Sequence, residues 1–314
     1  LNIAVTGGSG LIGSQLKPFL TTAGHHVENI VRGRPQKGEL SWNLDDKTIS
    51  NLSGKDVVVH LAGEPISKPL GGMIPLPWTK WKRNEILKSR VEGTKLISEH
   101  IASLNNPPKV MICASAVGYY GDRGEDLLSE SDKSGDDFFS HVVSEWEKAA
   151  QPAIDAGIRV VFLRIAPVMS PLGGALQVLG NAARLGSSPP VAGGKQWWSW
   201  ISLDDVVDVI YHSIINEKIS GPVNVASPNP VRQKEWAATL AKVIWGRFGP
   251  ITGLIPVPGF ALKTVLGEFG DVLALSSIRI DSSKLLDSGY KFRFDNLEDC
   301  FRHLLGKRAA EELQ

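Results

Sequence analysis

Residues Thr6 to Gly13 read TGGSGLIG, and where this turn falls in the chain limits the fold more than any other feature. A β-branched run, Asn2 to Thr6, precedes it, and an amphipathic stretch, Leu11 to Ala23, follows. Strand, glycine turn and helix in that order are the context in which such a motif becomes specific. Gly8, Gly10 and Gly13 satisfy GxGxxG, and Gly7, Gly10 and Gly13 satisfy GxxGxxG. Without Cβ atoms the chain can bend sharply and its backbone can approach a pyrophosphate. The helix that opens at the turn offers unpaired N–H groups and positive dipole density. Gly7, Ser9, Gly10, Leu11, Ile12 and Gly13 are therefore the candidate dinucleotide-binding residues; the alternative is a glycine turn with no ligand.

The first half alternates buried-strand runs with helical stretches, the pattern of a parallel sheet covered on both faces. Strands are expected at Asn2 to Thr6, His26 to Val31, Asp56 to Leu61, Val110 to Ser115 and Val160 to Val168. Helices are expected at Leu11 to Ala23, Trp78 to Leu104 and Asp137 to Ala156. The fold class is α/β: a Rossmann, doubly wound parallel sheet with a smaller C-terminal α/β domain. After Val168 glycine and proline accumulate, and Trp197, Trp198 and Trp200 put three indoles in four positions. A strand at Trp200 to Leu203 and a helix at Asp204 to Ile215 are expected to rejoin the main sheet. The expected division is 1–170 with about 200–227 as the nucleotide domain, and about 171–199 with 228–314 as the substrate domain. Gln233 to Ile244 is a further helix.

The second strand ends in VRGRP. An NAD site would carry Asp or Glu there, roughly 20 residues past the glycines, to hold the ribose 2′-OH. Arg32 and Arg34 instead suit a 2′-phosphate, and Glu28 lies inside the strand, so the cofactor expected is NADP(H). Solvated loop arginines are the alternative. His60-Leu61-Ala62-Gly63-Glu64 ends another strand with small residues, so Leu61, Ala62 and Gly63 can pass beneath the adenosine half; a plain strand-to-loop turn would read the same.

Together TGGSGLIG, HLAGEPI, SRVEGT, CASAVGYYG and GGKQWWSWISLDDVV resemble the atypical extended short-chain dehydrogenase/reductases, and most of all the epimerase-like family of the SDR39U type, described also as a cell-division inhibitor. Pro256 to Phe260 and GEFGDVLALSS at 267–277 are similar to that family's C-terminal region. The resemblance implies bound NADP(H), with Glu85 near the ribose, Arg90 near the nicotinamide end and Val168 against the nicotinamide. Glu85 and Arg90 stand about 140° apart around an ideal helix and do not share a face; that they touch different parts of one cofactor is implied by the resemblance alone. Ordinary relatives rely on a Tyr hydroxyl whose pKa is lowered by a Lys four residues on. No YxxxK occurs here: Phe139 and Val143 take those places, Ala116 the Ser place and Arg90 the Asn place. Ser115, Tyr119 and Tyr120 remain as catalytic candidates, unless the tyrosines only pack with satisfied hydroxyls.

Other chemistries find little support. With 34 Lys+Arg against 33 Asp+Glu, the net charge of +1 argues against nucleic acid as a partner. Cys113 and Cys300 are too few for a disulfide framework, and the seven histidines form no HxH or HxxxH pair, so no metal is expected. Neither GxSxG nor a P-loop is present. No window approaches 18 consecutive apolar residues, so no membrane span is expected. The expected setting is cytoplasmic, or the plastid stroma if a leader has been removed, for a monomer or homodimer. Arg164, in the apolar run FLRIAP, needs a partner: a structural ion pair or an anionic ligand. The indoles either stack on a planar substrate or pin the two domains together. The expected function is an oxidoreductase or epimerase acting on an unidentified small molecule. The alternative is a non-catalytic NADP(H)-binding redox sensor or regulator with a protein partner, linked to cell or plastid division.

Overall fold

Val57, Val58 and Val59 are all buried, as a strand must be when helices cover both faces of its sheet. In the computed structural model, which describes residues 1–66, 77–246 and 270–307, they form part of β5 (Val57–His60). The other strands of the main sheet are β1 (Asn2–Thr6), β2 (His26–Arg32), β3 (Glu39–Asn43), β4 (Thr48–Ile49), β6 (Val110–Ala116), β8 (Arg159–Ile165) and β12 (Gly221–Val225). Their order is β12-β8-β6-β5-β1-β2-β3-β4. Every pairing is parallel except β3 with β4. From β1 the chain moves outward to β2 and β3, then returns to build the other half from β5. The switch point lies between β1 and β5, where open sheets of this kind bind ligands.

Helices α1 (Gly13–Thr22) and α6 (Leu203–Ile215) cover one face. There Ile3, Val5, Val57, Val59 and Ile112 meet Leu16, Leu20, Val206 and Ile210. The other face carries α2 (Lys80–Ala102), α3 (Phe138–Lys148) and α4 (Gln151–Asp155). Ala4, Val58, Met111 and Cys113, the alternate strand positions, pack there with Ile97, Ile101 and Ala153. Helix α2 starts at Thr79, whose side chain accepts from Lys82 N–H, and ends before the Asn105-Asn106-Pro107-Pro108 stop.

Short pairs extend the framework: β7 (Leu127–Leu128) with β14 (Arg279–Ile280), β9 (Val168–Met169) with β11 (Ile201–Ser202), and β10 (Trp197–Trp198) with β13 (Val231–Arg232). Helices α5 (Gly174–Arg184), α7 (Gln233–Trp245) and α9 (Leu297–Leu304) surround a third apolar cluster built on Trp200, Trp236 and Phe301, and α8 (Ser283–Asp287) lies beside β12. Among the described residues no helix is long and apolar enough to cross a membrane.

Several boundaries differ from the sequence reading. The strand expected over Val160 to Val168 stops at Ile165, because Pro167 has no N–H to continue the ladder. Ile201–Ser202 pairs with β9 and stays outside the main sheet; β12 takes the edge position instead. The helix expected over Asp137 to Ala156 is two helices, α3 and α4. Pro256 to Phe260 and residues 267–269 lie outside the described residues.

Candidate functional site

The glycine turn sits at the switch point, and its tolerances are tight. Gly7 has φ +70°, and a Cβ there would stand 2.8 Å from the Leu61 carbonyl carbon. A Cβ on Gly13 would come 2.3 Å from Gly7 O, and one on Gly8 2.4 Å from Asn29 Oδ1. Gly10 N–H closes the turn on Gly7 O at 2.9 Å. Helix α1 has Ile12 at its N-cap and no side-chain cap, so its positive end is not sealed from within the protein. The β5 exit is stitched to the turn by Thr6: the N–H groups of Leu61 and Ala62 donate to Thr6 Oγ1 at 3.1 and 3.2 Å, and that hydroxyl lies 2.7 Å from His60 Nδ1. Burial first, then Arg90, lowers the His60 pKa to about 3, so its ring is neutral.

To one side of the turn opens a cleft of about 260 Å³, with Arg32, Asn43, Leu44, Asp45, Glu85 and Lys88 in its wall. Arg32 ends β2 there, and Arg34 lies exposed two residues on. Lys88 Nζ is 3.3 Å from Asp45 Oδ1. Glu85 faces this cleft, whereas Arg90 turns inward, 8% exposed, its NH1 donating to Glu64 O (2.9 Å) and Ile86 O (3.3 Å). A Cβ on Gly63 would lie 3.3 Å from Arg90 Cζ. The different directions of Glu85 and Arg90 agree with their angular separation on α2. Trp42, Asn43, Leu44 and Asp45 were not singled out from sequence. The usable signal was ELSWN, a short run ending in an acidic turn, which forms β3 and delivers these residues beside Arg32.

On the other side, Leu11 Cδ1 would be 3.2 Å from a Cβ on Gly173, and a Cβ on Gly174 (φ +71°) would be 3.2 Å from Val168 O. The turn, β9 and the start of α5 therefore meet. The fold thus sets Gly7 against Leu61 and Ala62, Gly63 against Arg90, Leu11 against Gly173 and Gly174 against Val168, while Arg32 and Glu85 line the cleft.

The three catalytic candidates fare differently. Tyr120 is fully buried; its hydroxyl donates to Asn224 Oδ1 (2.7 Å) and accepts from Arg164 NH1 (3.0 Å). Burial, outweighing Arg164, pushes its pKa up to about 12. Ser115, 4% exposed, donates to Glu147 Oε1 at 2.6 Å. Tyr119 is half-buried, with Arg164 Cζ 3.5 Å from its ring centre. Arg164 is held by Glu147 in a two-pronged ion pair, the structural partner its burial demanded. Phe139 and Val143 are buried on α3, and a Cβ on Gly118 would meet the Phe139 ring at 2.3 Å. Trp200 is buried and its Nε1–H donates to Asn229 O, while the half-buried Trp197 and Trp198 contact Glu125 through Nε1–H and Trp236 edge-on, respectively. Among the described residues no group of three or more His, Cys, Asp or Glu could hold a metal ion.

Comparison with known proteins adds identity to this geometry. The model of the NAD dependent epimerase/dehydratase family matches residues 3–226, and a domain of unknown function (DUF1731) matches 257–304. Epimerase family protein YfhF of Bacillus subtilis is 33% identical over 315 residues, spanning 98% of this chain and 99% of that protein. Epimerase family protein SDR39U1 of Homo sapiens is 29% identical over 306 residues, 97% of this chain and 100% of that one. The crystal structure of human SDR39U1 (isoform2) with NADPH superimposes with a TM-score of 0.86 at 29% identity, covering 98% of this chain and 100% of that chain. A nucleoside-diphosphate sugar epimerase from Corynebacterium glutamicum matches with a TM-score of 0.79 and 34% identity; it covers all of this chain, which spans 60% of that longer one.

Proposed function

This chain belongs to the NAD dependent epimerase/dehydratase family, and from that premise we propose that it binds NADP(H) across the switch point and acts as an oxidoreductase or epimerase on a small molecule. The observation that carries the reading is the glycine cradle at the uncapped start of α1: side chains on Gly7 or Gly13 would occupy space the backbone already holds, and one on Gly8 would meet the Asn29 side chain. The human relative solved with NADPH supports it.

The residues present fit that cofactor. The turn from Gly7 through Ser9, Gly10, Leu11, Ile12 and Gly13 would hold the pyrophosphate. Arg32, with Arg34 beside it, would fork onto the 2′-phosphate, while Leu61 to Gly63 and the Asn43-Leu44 edge would flank the adenosine. Glu85 would take a ribose hydroxyl, and Arg90 and Val168 would stand at the nicotinamide end. The bound cofactor supplies a hydride donor or acceptor. The chain's own part is to bind, orient and exclude water, with residues about 171–199 and 228–314 forming the substrate side.

Proton handling cannot follow the usual tyrosine–lysine route, since Phe139 and Val143 carry no transferable proton. Tyr120 has both hydroxyl bonds made inside the core, and Ser115 is spent on Glu147. Tyr119, with a guanidinium behind its ring, is the remaining candidate acid or base. That Ser115 and Tyr120 are committed within the fold favours a second reading: a non-catalytic NADP(H)-binding regulator that acts on a protein partner. Calorimetry with NADPH, followed by an NADPH-oxidation screen against carbonyl compounds and an NADP-reduction screen against alcohols, separates them. Turnover that Tyr119→Phe abolishes supports the enzyme; tight binding with no turnover supports the regulator; no binding removes both.

A further inference from the structure

Four polar atoms packed between the sheet, α2 and α3 have no hydrogen-bond partner among the described residues: His60 Nε2, Arg90 Nε, Thr94 Oγ1 and Trp146 Nε1. Their residues are 0%, 8%, 0% and 6% exposed, respectively. Arg90, Gly93 and Thr94 share one turn of α2, and a Cβ on Gly93 would stand 3.8 Å from His60 Cε1. Arg90 Cζ lies 5.1 Å from the centre of the Trp146 ring. Ser98, one turn past Thr94, donates to Ala149 O at 2.8 Å, and Ala149 follows Trp146 by nearly one turn. Thr94 and Trp146 are thus level on their helices, with Arg90 against both the Trp146 ring and Gly63, and His60 beside Gly93.

Hydrogen-bond accounting sets their polarity. Thr6 Oγ1 already accepts from the N–H groups of Leu61 and Ala62, so its own proton goes to His60 Nδ1. The neutral imidazole then carries its hydrogen on Nε2. His60 Nε2–H, Arg90 Nε–H and Trp146 Nε1–H are all donors, and only Thr94 can also accept. Donors buried at this depth require acceptors.

We propose that these groups enclose an internal hydration site, a pair of ordered waters that accepts from His60, Arg90 and Trp146, donates to Thr94 Oγ1, and holds the Arg90 guanidinium in the orientation it presents to Gly63. Two mutually bonded waters have three lone pairs left, matching the three donors, and three hydrogens, of which Thr94 Oγ1 can accept up to two. The hydration site stands on the packing alone; its consequence for Arg90 rests on the NADP(H) reading. Thr94 and Trp146 are then positioning residues.

A high-resolution crystal structure of the full chain, with a parallel bromide soak, tests the site directly. Two oxygen peaks within hydrogen-bond reach of the four atoms are expected. An anomalous bromide peak there would replace water by an anion and overturn the assignment, as would side chains closing over the region. For the consequence, NADPH affinity is measured by calorimetry for Thr94→Val and Thr94→Ser. The valine variant should bind several-fold more weakly, with serine restoring wild-type affinity; equal affinity for both removes the positioning role. Failure of the wild type to bind NADPH would sink the function reading, while the crystallographic peaks still decide the hydration site.

Discussion

Arg164 grips Glu147 through two nearly parallel bonds, Nε to Oε1 at 2.9 Å and NH2 to Oε2 at 2.8 Å, with side chains only 3% and 12% exposed. The pair ties α3 to β8, and through the Tyr120 hydroxyl and Asn224 it reaches β12. Glu147→Leu leaves a buried guanidinium without its carboxylate and should cost about 3–5 kcal/mol. Urea unfolding checks this, and the double variant with Arg164→Met should recover much of the loss. A single-variant cost below about 1 kcal/mol would mean that solvent reaches the pair freely.

Gly13→Ala places a methyl group where Gly7 O already stands, 2.3 Å away. The turn must shift, and NADPH affinity should fall at least about ten-fold, roughly 1.4 kcal/mol. Retained far-UV circular dichroism would show that the sheet survives; unchanged affinity would show that the turn does not touch the cofactor.

Arg32→Ala should weaken NADPH far more than NADH, because only the former carries the phosphate a guanidinium can fork onto. Comparing the two dissociation constants by calorimetry decides it. Equal losses would move the phosphate site elsewhere in the cleft.

His60 is held neutral, its pKa lowered from 6.5 to about 3 by burial and then by Arg90. Between those values the unfolded chain binds a proton that the native state does not, so stability falls with falling pH. The slope from this group is about 1.4 kcal/mol per pH unit below about pH 6, until the folded pKa is reached. Denaturant midpoints at pH 4, 5 and 7 should show it, and His60→Gln should flatten the decline. A ring NMR titration with a midpoint near 6 would contradict the assignment.

The legible parts of this fold are those with a local signature. The β1–turn–α1 unit announces itself because each glycine answers to a specific crowding contact. Arg164 was recognisable as a charge in an apolar run, but Glu147, 17 residues earlier, was identifiable as its partner only once α3 lay against β8. Among the strands that the sequence does not announce, β3 and β12 are hidden for opposite reasons. β3 is a polar, half-buried ELSWN next to the sheet edge, and β12 opens with Gly221-Pro222, residues that ordinarily punctuate strands. Missing β3 hid Asn43 and Leu44 from the expected site. Glu85 and Arg90 entered from family likeness, and the angle between them on α2 correctly anticipated that they face different surroundings.

The edge position of β12 has a consequence for synthesis. Its neighbour β8 ends at Ile165, while β12 begins at Gly221; the intervening stretch supplies α5 and the tryptophan-rich turns. A ribosome releasing this chain therefore exposes an unpaired β8 margin while more than one in six of its residues is made. A truncation ending near residue 170 would carry that bare margin permanently and should self-associate, whereas one extending through Val225 would cover it with its own backbone.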